Sequence, residues 1–342
     1  MPISKPNLFE ISTQELSQDA FITWLLQWAD KKYAKADEYL HHCAQDFVKS
    51  LINQSNGYHI AKVQAGRQWK NIDVWCKVND DYFLVIEDKK GTKQHTNQLE
   101  RYADIARNHF SNLDLETRCI YFKMEEQGNM LNLSDTGFMH FTRSQMLPIL
   151  KKYKENTENS RLNDILLDYY DYLVKLDEDI NSYKSKSVGD WGWYSWIGFF
   201  AAMREVLGGT WDYVPNPSGG FLGLWWDWHY GKLEDKEFEF YLQMEYDKLV
   251  FKLYVFNEEN RHEVRDYFRK KLFSLANKKN IQIQKYGRIG KYMGVARLAH
   301  GYRVTDQNKI LDMDSTKQKL EDMKNLLSDV EKEISRENQS DT

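Results

Sequence analysis

Five residues between positions 73 and 102 could do chemistry together: Asp73, Glu87, Lys89, Gln98 and Tyr102. Two neighbouring carboxylates suffice for Mg²⁺ (or Mn²⁺), because the small ion takes an octahedron of oxygens and keeps several waters. An ion held there polarises a phosphoryl oxygen and lowers the pKa of an attacking water. An ammonium beside it can steady the charge that develops on the phosphate or orient that water. Gln98 and Tyr102 stand one helical turn apart, and both can hydrogen-bond to a phosphate or to the carboxylates. Together these groups describe metal-assisted cutting of a phosphodiester bond.

The elements that must position them follow from periodicity. Residues 82–90, YFLVIEDKK, are too short and too rich in β-branched and aromatic residues for a helix, and read as a strand. Alternation puts Phe83, Val85, Glu87 and Lys89 on one face and Asp88 on the other. Residues 72–78, IDVWCKV, alternate as well, and Asn79-Asp80-Asp81 between the runs is turn chemistry, so the two form a hairpin. A three-residue loop pairs Val78 with Tyr82, and counting back sets Asp73 across from Glu87, at a Cβ separation of roughly 4.5–5.5 Å. A lone Glu-x-Lys on a strand is ordinarily part of a solvated face. Here the strand is continuously apolar over Phe83–Ile86, as a central strand is. The second acid falls in register, and the following helix carries the Gln and Tyr.

This set resembles the PD-(D/E)XK nuclease superfamily, whose fold is restriction-endonuclease-like. Asp73 matches its first acid, Glu87-Asp88-Lys89 its (D/E)XK, and Gln98-Leu99-Glu100-Arg101-Tyr102 the QxxxY helix motif of many members. Asp88 stands where the most similar members have Asn, and Ile72 where the family has Pro; neither change removes a proposed ligand. The resemblance covers roughly the first half of the chain. It implies an Mg²⁺- or Mn²⁺-dependent hydrolase of phosphodiester bonds, a DNA endonuclease in bacterial defence or DNA processing. Asp73 and Glu87 would be the metal ligands. Family members often add an acid from the first helix, here Glu15 or Asp19. Ser12-Thr13-Gln14-Glu15 is also a capping box, and that reading of Glu15 is preferred. The competing class is a non-catalytic nucleic-acid-binding or assembly module that has kept the fold and lost cutting. A degenerate copy would be expected to lose an acid or the lysine, and all are present.

The chain of 342 residues is long enough for two domains with substantial cores. A formal charge of −4 is not that of a protein coated for nucleic acid, though a local patch remains open to it. Lys89, Lys90 and Lys93 with Arg67 and Lys70 could form one, or could be an ordinary charged surface. Cys43, Cys76 and Cys119 are far apart, without a CxxC pair, which argues against a zinc site or disulfide scaffold and fits a reducing cytosol. No apolar run approaches the ~20 residues of a membrane span, so a cytoplasmic protein without membrane partners is expected.

The expected fold is mixed α/β: an α-β-β-β-α-β core followed by a second, α+β domain with an antiparallel sheet. Residues 13–29 read as an amphipathic helix with Phe21, Trp24, Leu25 and Trp28 buried, and residues 37–53 as a second helix. A strand near 58–65, the hairpin, a helix at 95–110 and a strand at 117–123 complete the core, and two helices follow over 141–176. The expected domains are 1–176, a polar linker 177–190, a Trp-rich recognition or regulatory domain 191–312 and a C-terminal helix with a frayed tail over 313–342. Seven of the 11 tryptophans lie between Trp191 and Trp228. An aromatic core is the preferred reading, a stacking platform for unpaired bases the sharper one. FLGLWWDWHY, FEFYLQMEY and LVFKLYVF suggest a meander with turns at Gly231-Lys232 and Tyr246-Asp247-Lys248. The basic helix 261–279 offers Arg269 and Lys270 to backbone phosphates. The stripe Leu320, Met323, Leu327, Val330 and Ile334 is expected to pack on its own body, with a homo-oligomer or a defence-system partner as the lesser reading.

Overall fold

The computed structural model describes residues 7–11, 15–55, 57–89, 98–109, 115–128, 136–158, 161–216 and 219–340. By internal contacts the chain divides into two units, Met1–Glu178 and Asp179–Thr342.

In the first unit, α1 (Leu8–Ile11), α2 (Glu15–Trp28) and α3 (Glu38–Leu51) precede β1 (Val63–Trp69), β2 (Ile72–Val78) and β3 (Tyr82–Asp88). Then come α4 (Gln98–His109), β4 (Glu116–Lys123), β5 (Phe138–Thr142), α5 (Arg143–Asn156) and α6 (Asp164–Asn181). The five strands form one mixed sheet in the order β1-β2-β3-β4-β5. The first three are antiparallel, whereas β4 and β5 each run parallel to the preceding neighbour. This is the expected α-β-β-β-α-β order with β5 added. β5 departs from the sequence expectation, which places Phe141 and Thr142 at the start of a helix; that helix, α5, begins at Arg143, directly after β5.

Every residue of β3 is buried, as befits the middle strand of five. On one side of the sheet Leu99, Tyr102, Ala103 and Ala106 of α4 pack onto Phe83, Val85, Cys119, Tyr121 and Phe138. On the other, Phe47 of α3 meets Phe122 and Phe141 edge-on at 6.3 and 5.6 Å. The side chain of Asp37 caps α3 by accepting from the Leu40 N–H at 3.0 Å. α2 departs from the expected single stripe. Ile22 and Leu26 are buried along with Phe21 and Leu25, while Trp24 and Trp28 are only half-buried.

The second unit holds α7 (Trp193–Leu207), β6 (Thr210–Val214), β7 (Phe221–Leu233), β8 (Lys236–Glu245) and β9 (Lys248–Tyr254). α8 (Arg261–Lys278), β10 (Ile283–Lys285), β11 (Tyr292–Leu298), the short pair β12 (Val304–Thr305) and β13 (Leu311–Asp312), and α9 (Met313–Ser340) follow. Six strands form an antiparallel sheet in the order β10-β11-β9-β8-β7-β6. Its core takes Phe199 and Phe200 from α7, Phe268 and Leu272 from α8, and Leu320, Met323, Leu327, Val330 and Ile334 from α9. The C-terminal stripe therefore packs on its own body, and the expected frayed tail is helical as far as Ser340. Trp191, Trp211 and Trp226 are core residues, whereas Trp193 and Trp228 are exposed. The β7–β8 turn lies at Glu234-Asp235 and not at Gly231-Lys232, which continue the strand. Tyr246-Asp247 turn β8 into β9 as expected.

Candidate active site

The β2–β3 ladder pairs Val78 with Tyr82 and ends on Val74 with Ile86, so the next position sets Asp73 across from Glu87. The loop count fixes this register. Asn79, in the left-handed region at φ 49°, makes the turn that a three-residue connection needs. The Asp88 N–H donates to Asp73 Oδ2 at 3.2 Å, tying the first acid to the end of β3. Lys89 follows directly. Its Nζ lies 2.7 Å from Glu87 Oε1 and 3.8 Å from Asp73 Oδ2, so one ammonium stands against both carboxylates.

The electrostatics of this cluster are unusual. Glu87 is wholly buried and Lys89 is 7 % exposed. Burial, and then the negative charge of Asp73, push the Glu87 carboxyl well above its usual range; Lys89 pulls it back only in part. Two acids that repel each other, Glu87 buried and Asp73 half-buried, form a donor set that a divalent cation can neutralise. The set fits Mg²⁺, which needs only one or two carboxylates. No group of three or more His, Cys, Asp or Glu able to hold a metal occurs among the described residues.

Asp88 occupies the opposite face, as alternation requires. Gln18 Nε2 donates to its Oδ1 at 2.6 Å. Burial, followed by the charge of Asp88, also holds the Tyr169 hydroxyl protonated far above its usual range. Tyr102 is buried in the α4 layer on the Glu87 face, with the Arg101 guanidinium 5.2 Å from its ring centre. Gln98 opens α4 and Glu15 opens α2, but their side chains, like Lys90, Lys93 and the Ser12–Gln14 part of the capping box, lie outside the described residues. Asp19 is buried on α2. Arg67 donates to the Leu16 carbonyl at 3.0 Å, and Lys70 approaches His109 Nδ1 at 3.2 Å. Arg269 and Lys270 belong to the second unit, where Arg269 pairs with Asp266 at 3.2 Å.

Three further residues share the Glu87 face and escaped the sequence reading. Parallel pairing sets Tyr121 of β4 beside Glu87 and His140 of β5 beside Tyr121. Lys123, two residues past Tyr121 on the same face, is buried and donates to the Lys89 carbonyl at 3.5 Å. Alternation in RCIYFKM groups Cys119, Tyr121 and Lys123. Their neighbours across the parallel ladder depend on crossovers that no local pattern specifies.

A model of the PD-(D/E)XK nuclease superfamily matches residues 6–185, more than half of the chain. No curated protein and no solved structure matches it. The chain belongs to the PD-(D/E)XK nuclease superfamily.

Proposed function

We propose that this chain is a divalent-metal-dependent nuclease, with DNA as its substrate and internal cutting as its mode. The observation that carries the reading is the cluster of Asp73, Glu87 and Lys89 at the end of the central strand, inside the segment that places the chain in its family. Asp73 and Glu87 would hold Mg²⁺ or Mn²⁺, which when bound would polarise the phosphate and acidify a water. Lys89 has reach to either carboxylate, so on displacement from Glu87 its ammonium is placed to meet the phosphate or to orient the water. Tyr102, on the helix over this face, supports the floor of the site. A place in bacterial defence or DNA processing agrees with the family, and the second unit would serve recognition, regulation or assembly.

The test is cleavage of supercoiled plasmid and of a linear duplex with Mg²⁺ or Mn²⁺, stopped by chelation. Lys89→Ala should abolish cutting, by about 10²-fold or more for loss of a group that meets developing charge. Asp88→Asn, on the far face, should cut like the parent because an amide oxygen can still accept from Gln18. An active Lys89→Ala protein would sink the assignment. Activity lost in Asp88→Asn and kept in Glu87→Gln would mean that the wrong face had been chosen.

A further inference from the structure

The face that carries Glu87 and Lys89 does not stop at β3. Pairing in the parallel ladders runs Glu87–Tyr121–His140 across β3, β4 and β5. The Lys89 N–H donates to the Phe122 carbonyl at 3.1 Å, which continues the β3–β4 register and brings Lys123 beside Lys89. Lys123 in turn pairs with Thr142. Two rows therefore cross the carboxyl ends of three parallel strands, the part of an open α/β sheet where ligands bind. One row reads Asp73, Glu87, Tyr121 and His140; the other reads Lys89 and Lys123.

Lys123 is 3 % exposed, and lysine is among the residues least often buried. Its ammonium reaches back to the Lys89 main chain at 3.5 Å instead of outward to solvent. Neighbouring strands are ~4.8 Å apart, so two ammonium groups rooted side by side flank the carboxylate row. At the far end of that row, His140 Nε2 is buried and meets no hydrogen-bond partner among the described residues. Burial keeps the His140 ring neutral by lowering its pKa, and the nearby Lys123 charge acts the same way against Glu126. Two ammonium groups in one row, beside a row that ends on an unmatched ring nitrogen, suit an anionic, oxygen-rich ligand.

We propose that Lys123 is a second phosphate-binding cation of the site. It would hold a backbone phosphate of the nucleic acid next to the one positioned over Glu87 and Lys89. The proposal rests on the nuclease reading and deepens it. The bland account is that Lys123 is structural, tying β4 to β3 through contacts that include the Lys89 carbonyl, and two substitutions separate the two. Lys123→Gln keeps a donor for that carbonyl and removes the charge; Lys123→Arg keeps the charge.

The experiment uses the full chain. Binding to a labelled DNA duplex is measured against salt with Ca²⁺ replacing Mg²⁺, and cutting is measured in parallel with Mg²⁺. Lys123→Gln should lower the slope of log K against log salt by about 0.9, the loss of one phosphate contact from duplex DNA. It should also raise KM roughly ten-fold, the scale of one charge-assisted hydrogen bond, while melting like the parent. Lys123→Arg should keep the parental slope. If Lys123→Gln matches the parent in slope and KM, the proposal is overturned and the nuclease reading survives. A slope lowered in Lys123→Arg as well would also overturn it, and that variant serves should the Gln chain not fold. A parent protein that neither binds nor cuts DNA would remove the nuclease reading, and this proposal with it.

Discussion

At the residue scale, Glu87 is the most informative group because its surroundings oppose its own charge. Its proton affinity is raised in the folded chain, from an ordinary 4.5 to about 8, by burial first and by Asp73 second. Between those values the folded state binds a proton that the unfolded state has released. Stability contributed by the proton is therefore complete below the unfolded pKa and is lost as pH rises through the folded one. Melting of the metal-free protein should accordingly fall between about pH 5 and about pH 8. Glu87→Gln should flatten that slope and melt higher than the parent at the alkaline end. Mg²⁺ should compete with the proton, so binding should tighten with rising pH and release protons, read by calorimetry in buffers of different ionisation heat. A Glu87→Gln protein that melts lower than the parent at alkaline pH would show that Lys89, not Asp73, dominates the carboxylate.

At the element scale, the hairpin was legible because everything that fixes it is local. Asn79-Asp80-Asp81 sets the loop, the loop sets the register, and alternation then decides that Glu87 meets Asp73 while Asp88 meets Gln18. What escaped was non-local. β5 is five residues, Phe138–Thr142, run straight into α5, so its end looked like the start of a helix. Without β5 and the parallel register, neither His140 nor Lys123 could be placed at the site. Gly231 misled for a different reason: a Cβ there would meet the Phe238 ring at 2.4 Å, so the glycine serves a close approach within β7 and not a turn. Two residues before it, His229 joins elements distant in sequence. Its ring nitrogens lie 3.0 Å from Asp227 Oδ2 on β7 and 2.9 Å from Glu331 Oε2 on α9. Burial lowers its pKa, but the hydrogen bonds and charges of Asp227 and Glu331 outweigh it, and the net shift is upward. A raised folded pKa means stability present below the unfolded value near 6.5 and lost as pH climbs through the folded one. Melting of the second unit should therefore be higher at mildly acidic than at mildly alkaline pH. His229→Gln should remove most of that difference, and an unaltered pH dependence in the variant would show that the α9 clamp works by packing alone.

At the scale of the whole molecule, the question is whether the second unit helps to bind nucleic acid, and its charges have largely been used internally. On α8, Arg265 donates to the carbonyls of Tyr286, Gly287 and Gly294. Lys271 pairs with Glu333 and Glu337, Lys279 with Asp329 at 2.6 Å, and Arg269 with Asp266. Lys270 and Lys278 are exposed and, among the described residues, in no ion pair. The basic run seen in the sequence thus narrows to Lys270 and Lys278, with Arg269 available where a phosphate displaces Asp266. If this helix presents DNA to the nuclease unit, reversing the charges of Arg269 and Lys270 should flatten the slope of log K against log salt by about 1.8, twice the contribution of one phosphate contact. The change should leave melting nearly as it was, since exposed ion pairs are worth about 0–1 kcal/mol. Reversing Lys270 alone should give about half the effect. Binding with unchanged affinity and slope in the double variant would take α8 out of the interface. The aromatic sheet face, where Trp228 stacks on Tyr241 at 3.9 Å, would then be a candidate contact surface of this unit. Binding by stacking on unpaired bases would show as a preference for single strands over duplex, weakened by Trp228→Ala.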